Sequence, residues 1–316
     1  MSGVTDTRRS VLITGCSPGG IGNSLAREFN QNGLRVLATA RDAATISDLA
    51  DLGIETLSLT VDDPEKVKSC FADVEKRLGD KGLDYLVNNA GRNYTVPAME
   101  VELAEVRQTF ETNLFAVITM CQTFLPLLIK AKGTIVQIGS VAGIIPYVFG
   151  SVYNASKAAL HSFSDTLRVE LAPFGFVRHA KIIMLCFSLT RINSVHVTTI
   201  VTGGVQSRIA RTDRALQPGS LYSPIESEYL TRVKHSQHNA MPNDAYARSV
   251  VSQVLYGSAS WRWLWPWARG HKAWIWEGRA SWLIWMLSGG WAWSGLFGRI
   301  MTKMFKLWKI KNASRK

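Results

Sequence analysis

The chain has 316 residues, 36 of them Lys or Arg against 24 Asp or Glu, for a formal net charge of +12. With 47% hydrophobic and 19% charged residues it can bury a large core, which excludes global disorder. The charge is uneven: eleven of the basic residues, one acidic residue and all 11 tryptophans lie after Tyr256. The body up to Tyr256 is therefore near neutral, and 257–316 is basic and apolar together. That pairing suits a membrane surface and argues against a nucleic-acid face. Two units are expected, a body 1–256 and a tryptophan-rich, membrane-associating tail 257–316. Cys16, Cys70, Cys121 and Cys186 form no CxxC pair and no cluster with histidine, which predicts reduced thiols on the cytosolic side and no metal site. Met1 to Arg9 is polar and lacks the apolar region of a signal peptide.

Ser10 to Thr14 reads as a short apolar strand. It runs into Thr14-Gly15-Cys16-Ser17-Pro18-Gly19-Gly20-Ile21-Gly22 and then a helix, Asn23 to Asn32. Glycines let a backbone approach a pyrophosphate, and a helix N-terminus offers N–H groups and positive potential. Leu34 to Thr39 is a second strand ending at Ala40-Arg41-Asp42. At such a strand end an acidic side chain favours a free ribose 2′-hydroxyl, whereas arginine favours a 2′-phosphate, so Arg41 points to NADP(H). A third strand, Ile54 to Val61, closes on Asp62, followed by a helix, Glu65 to Leu78. Leu83 to Val87 is a fourth strand, ending at Asn88-Asn89-Ala90-Gly91. Val101 to Lys130 is a long helix with Asn113 inside it, a poor helix former that marks a kink, a water site or a tolerated position. Thr134 to Ile138 is a fifth strand with Ser140 beyond its carboxyl end. Val152 to Leu171 is helical, and Val195 to Val201 is a sixth strand leading into Thr202-Gly203-Gly204-Val205-Gln206-Ser207. Strands alternating with helices predict an α/β fold with a Rossmann-type, doubly wound parallel sheet, whose ligands bind at the carboxyl ends of the strands.

Tyr153 and Lys157 stand one helical turn apart and share a face. A nearby ammonium favours phenolate, so Tyr153 is expected to have a lowered pKa and to serve as a general acid/base. The Ser140 hydroxyl is placed to hydrogen-bond the same substrate oxygen.

These ordered motifs resemble the short-chain dehydrogenase/reductase family over roughly residues 10–210. The resemblance implies a tetrad of Asn113, Ser140, Tyr153 and Lys157. Tyr153 protonates a carbonyl oxygen while NADPH delivers hydride, Ser140 stabilises that oxygen, Lys157 lowers the tyrosine pKa, and Asn113 supports a relay water. It also implies cofactor contacts at Gly15, Ser17, Gly20, Ile21 and Gly22 in the loop, and at Arg41, Asp62, Asn89, Ala90 and Gly91. Tyr153, Lys157, Gly203, Val205 and Ser207 complete that set. The longer glycine loop, the Gly203–Ser207 segment and the tail together are similar to fungal NADPH-dependent 1-acyldihydroxyacetone-phosphate reductases of the endoplasmic reticulum and lipid droplets. That likeness implies a lipid-like ketone substrate, with Arg208, Arg211 and Arg214 as candidate phosphate contacts. A ketoreductase of a fungal secondary-metabolite pathway carries the same motifs, and a catalytically impaired membrane-attached scaffold is a third reading. A homo-oligomer fits each.

Three features depart from the family pattern. The glycine loop is one residue longer than the common form, with four residues between Gly15 and Gly20. Thr202 stands where proline is usual before Gly203. More seriously, 176–194 separates Gly175 from a strand that would follow it directly. We read this segment as a retained intron, since Val177-Arg178 can be encoded by a splice-donor sequence, with a genuine insertion as the alternative. In the tail, Ala280 to Gly298 carries no charge, but Gly289-Gly290, Ser288 and Ser294 weaken it as a single span. A shallow anchor, with the basic end from Lys303 to Lys316 facing anionic lipid, is preferred over a marginal single span and over a soluble oligomer interface.

Overall fold

Strand β1 (Ser10–Ile13) lies in the interior of a seven-stranded sheet, with every residue buried. The computed structural model describes residues 6–172, 195–209, 213–235, 237, 240–257, 272–288, 296–307 and 309. The segment 176–194, Cys186 and Arg211 lie outside the described residues.

After β1 come α1 (Ile21–Gln31), β2 (Arg35–Ala40), α2 (Ser47–Ala50), β3 (Glu55–Ser58), α3 (Pro64–Leu78) and β4 (Tyr85–Asn88). Then follow α4 (Leu103–Phe110), a π turn at Glu111–Phe115, α5 (Ala116–Ala131), β5 (Thr134–Ile138) and α6 (Ser151–Leu171). The remaining elements are β6 (His196–Thr202), α7 (Glu226–His235), α8 (Asn243–Tyr256), β7 (Trp274–Glu277), α9 (Ser281–Ser288) and α10 (Leu296–Met304). The strand order is β3-β2-β1-β4-β5-β6-β7, and every pairing is parallel. The side on which successive strands are added reverses between β1 and β4, which opens a crevice at their carboxyl ends.

The pleat divides the core in two, because successive side chains point to opposite faces. Val11, Ile13, Val36, Ala38, Val136 and Ile138 face one layer with α1 and α8. Leu12, Leu37, Leu86 and Ile135 face the other, with α3, α5 and α6. Helices on both faces explain why the strands read as continuous apolar runs.

The long helix expected over 101–130 exists but is broken at Asn113, where one turn widens to a π turn. It is the one described stretch long and apolar enough to cross a bilayer, and its Val117, Phe124 and Leu128 are buried against the sheet. The composition boundary at Gly257 does not bound the sheet. Trp274 to Glu277 pairs with Thr199 to Thr202, so the edge strand comes from the tryptophan-rich region. Among the described residues the uncharged tail window holds the short helix α9, and α10 begins at its end; 289–295 lie outside the described residues.

Candidate active site

The glycine loop is shaped by close approach. Gly15 has φ +73°, and a Cβ there would lie 2.9 Å from Ala90 Cα. Gly22, in the first turn of α1, has no room for a side chain: a Cβ would meet Asn89 Nδ2 and the Gly15 carbonyl, each at 2.5 Å. Asn89 Nδ2 donates to the carbonyls of Thr14 (2.8 Å) and Gly15 (3.0 Å). In return the Thr14 hydroxyl accepts the N–H groups of Asn89 and Ala90, both at 3.0 Å. The loops after β1 and β4 are thus sewn into one floor. Gly20 caps α1 without a side-chain bond, so the first N–H groups of α1 keep their donor capacity toward the crevice.

A cavity of about 850 Å³ opens over this floor. Gly15, Ser17, Gly20 and Ile21 line one end with Arg41 and Asp62. Asp42, beside Arg41, is spent on capping the next turn, accepting from Ala44 N at 2.9 Å. The cation, not the carboxylate, therefore faces this end. Asp62 accepts from Gln108 Nε2 at 2.7 Å. Asn89, Ala90 and Gly91 continue the wall to Ser140, Tyr153 and Lys157. Gly203, Val205 and Ser207 close the far side. Gly203 itself packs against the backbone at Arg279, which pairs with Gly204. The expected site residues therefore converge, with two exceptions that stand behind the wall, Gly22 and Asn113.

The Asn113 side chain is fully used. Its Oδ1 accepts from Arg92 N (2.8 Å), and its Nδ2 donates to Arg92 O and Ser156 Oγ, both at 2.9 Å. It fixes the loop after β4 to α6.

Tyr153 differs from the expectation that Lys157 draws its pKa down. Burial raises the phenol above its usual range, opposed by a hydrogen bond with Ser140 and by the charge of Arg232. Lys157 Nζ donates to the Ile138 carbonyl at 2.8 Å and stands 5.9 Å from the centre of the Tyr153 ring. Burial brings its own pKa down to about 8. The Ser140 hydroxyl accepts from Ala142 N at 3.1 Å, which leaves its O–H to point into the site.

Several residues of this region were not expected. His161 follows Lys157 by one more turn of α6, and its Nε2 accepts the Ser140 backbone N–H at 3.2 Å. Burial pushes its imidazole down to about 4, helped by the Lys157 charge and opposed by Asp165. The spacing of Tyr153, Lys157 and His161 was a usable helical signal. Arg232 of α7 lines the cavity and is 3% exposed, and no local pattern marks it. The tail also contributes: Ile284 of α9 with Met301 and Met304 of α10 form an apolar wall. Ile284 and Met301 pack with Ile145 and Phe305 in a cluster that also holds Val141 and Tyr147. Glu228 of α7 clamps the tail by accepting from Lys309 Nζ at 2.6 Å, with Lys306 3.7 Å away. The Lys309 hydrogen bond holds its carboxyl down to about 2. Of the expected arginine trio, Arg214 pairs with Glu105 at 3.1 Å beside Arg92, and Arg208 lies against Gly19 of the glycine loop.

Among the described residues no three His, Cys, Asp or Glu gather as metal ligands, and Cys16, Cys70 and Cys121 are buried free thiols. The residues present fit a dinucleotide: a floor that a Cβ would obstruct, unspent helix N–H groups and a cation at the end of β2.

Residues 9–200 match the short chain dehydrogenase family. The chain is 36% identical over 304 residues to short-chain dehydrogenase fogD of Aspergillus ruber, covering 96% of this chain and 95% of that one. It is 40% identical over 231 residues to an NADPH-dependent 1-acyldihydroxyacetone phosphate reductase of Schizosaccharomyces pombe, covering 71% of each. A short-chain dehydrogenase structure from Streptomyces avermitilis shares the fold with a TM-score of 0.69 at 23% identity, covering 100% of this chain and 99% of that one. A metagenomic short-chain oxidoreductase solved with NADP aligns with a TM-score of 0.52 at 27% identity, covering 62% of this chain and 82% of that one. The chain belongs to the short chain dehydrogenase family.

Proposed function

We propose that the chain is an NADPH-dependent carbonyl reductase whose substrate is a lipid-like ketone, 1-acyl-dihydroxyacetone phosphate, reduced to 1-acyl-glycerol 3-phosphate. The observation that carries the reductase reading is the convergence of Ser140, Tyr153 and Lys157 on one cavity with the glycine floor. When bound, NADPH supplies the hydride.

The residues do the rest. The buried Tyr153 phenol is protonated at neutral pH, which suits a proton donor, and it gives that proton to the carbonyl oxygen. The Ser140 O–H donates to the same oxygen as charge develops. Lys157 has N–H groups beyond the one spent on Ile138, and they are available to ribose hydroxyls and to the phenolate left behind. Asn113 acts as a positioning residue, and any proton relay through it uses its main chain at the π turn, since its side chain is engaged. Arg41 takes the 2′-phosphate.

The lipid reading is supported by the Schizosaccharomyces pombe relative and by an apolar wall drawn from the tail. Trp282 and Trp285 of α9 point outward, 62% and 59% exposed, and suit a shallow seat in a cytosolic membrane face of endoplasmic reticulum or lipid droplets. A second reading, a ketoreductase of a secondary-metabolite route, is favoured by one observation: the relative from Aspergillus ruber aligns over nearly its whole length, tail included. NADPH consumption by the purified chain separates the readings. Turnover of 1-acyl-dihydroxyacetone phosphate supports the first, and turnover of other ketones alone supports the second. Failure to bind NADPH would make the chain a scaffold.

A further inference from the structure

Arg232 is a buried cation, and among the described residues it has no acidic partner. Its Nε donates to the Val148 carbonyl at 2.8 Å, and its guanidinium carbon lies 3.4 Å over the Tyr147 ring. Among the described residues no carboxylate stands within ion-pair distance of it. Glu228, one helical turn earlier on α7, is the expected i,i+4 partner. That carboxylate is instead taken by Lys309 and Lys306 of the tail. Burying an unpaired guanidinium is costly, and buried charges are as a rule paired. Of the other basic residues lining the cavity, Arg92 pairs with Glu105, Lys157 donates to the Ile138 carbonyl, His235 is hydrogen-bonded to Tyr147, Arg208 lies on the glycine loop, Arg279 is held at Gly204 and Arg41 stands at the end of β2. Arg232 lines the same cavity as Tyr153, and the wall near it is apolar, formed by Ile145, Ile284 and Met301.

We propose that Arg232 is the receptor for an oxyanion group, phosphate or carboxylate, on a ketone whose remaining length is apolar. The inference rests on the reductase reading and names the chemistry that its substrate presents. The anion is held by the planar guanidinium, which matches two oxygens at once. The tail plays two parts in this, taking Glu228 away from Arg232 and supplying the apolar wall.

The test uses the full chain loaded with NADP⁺ and calorimetric titration with dodecyl phosphate, dodecanoate and dodecanol. The anionic chains are expected to bind at least about tenfold tighter than the alcohol, the size of one charge-assisted contact. Arg232→Gln is expected to erase that preference while leaving dodecanol affinity and NADP⁺ affinity unchanged, and Arg232→Lys to restore part of it. Dodecyl phosphate favoured over dodecanoate assigns a phosphate monoester, and the reverse a carboxylate. The wild-type ligand series stands even if Arg232→Gln fails to fold. The proposal is overturned if wild type shows no preference for the anions, or if the preference survives Arg232→Gln. It is also overturned if that variant slows a neutral ketone as much as an anionic one with a shifted pH profile, since Arg232 would then act through Tyr153. A chain that prefers the anions yet does not reduce 1-acyl-dihydroxyacetone phosphate refutes the substrate reading and leaves this one standing.

Discussion

His161 sets the geometry of Ser140 from behind, and it does so as a neutral imidazole. Its Nε2 must be unprotonated to accept the Ser140 N–H, and the glycines at 139 and 143 make room for its ring. The folded protein holds its pKa at about 4, against 6.5 for a free imidazole. Between those values the unfolded chain binds a proton that the folded chain refuses, so stability falls as pH drops from 6.5 toward 4. The loss is about 3 kcal/mol at the acid end of that window. His161→Gln keeps an acceptor for Ser140 and should flatten this slope in denaturant unfolding measured across the window. An unchanged slope would assign the acid sensitivity elsewhere. Of the residues at the site, those on local motifs were legible in the sequence, because loop, strand end and helical spacing are local properties. Arg232 was not. It is brought in by α7, far along the chain, and that Glu228, one turn away, does not pair with it depends on where Lys309 lands.

At the level of elements, the floor of the site depends on two loops fitting each other. Gly22→Ala would drive a methyl group into Asn89 and Gly15. The expected result is a loss of about 1–3 kcal/mol in stability and a larger loss in NADPH affinity, read by thermal melting and fluorescence titration. Near-normal NADPH binding would show that the floor yields. The strands and longer helices between Ser10 and Thr202 were legible to within a few residues, since buried apolar runs between turns carry their own signal, whereas α2, α7 and α8 were not read. The π turn was legible only as an oddity, an asparagine inside a helix. β7 was not legible at all: its Trp274-Ile275-Trp276 sits among tryptophans that suggest a membrane, and only pairing with β6 identifies it. Leu171 and Val195 flank the segment 173–194, and both are buried in the same core. Removing 176–194 would leave a short helix-to-strand loop of ordinary length. The deleted chain should fold with an equal or higher Tm and bind NADPH. Loss of the folded state would mark the segment as required.

Across the whole molecule, the tail is both wall and surface. α9 turns Ser281 and Ile284 inward and Trp282 and Trp285 outward, so one short helix faces the cavity and the solvent at once. Replacing Trp282 and Trp285 together by Glu should abolish flotation with anionic phospholipid vesicles while changing stability by less than ~0.5 kcal/mol, as exposed positions do. Undiminished flotation would remove α9 from any membrane contact. Truncation after Tyr256 is a poor probe of the same question, because it also removes β7 and the apolar side of the cavity.

The position of β7 has a consequence for how the chain is made. β6 is rich in β-branched residues, and its outer edge is covered only when β7 arrives about 70 residues later. At ~5–20 residues per second of synthesis, that edge waits ~4–14 s on the ribosome with its hydrogen-bonding groups open. A newly made chain thus passes through an interval in which the sheet is nearly whole and still able to pair with a neighbour, and chaperone demand should concentrate there.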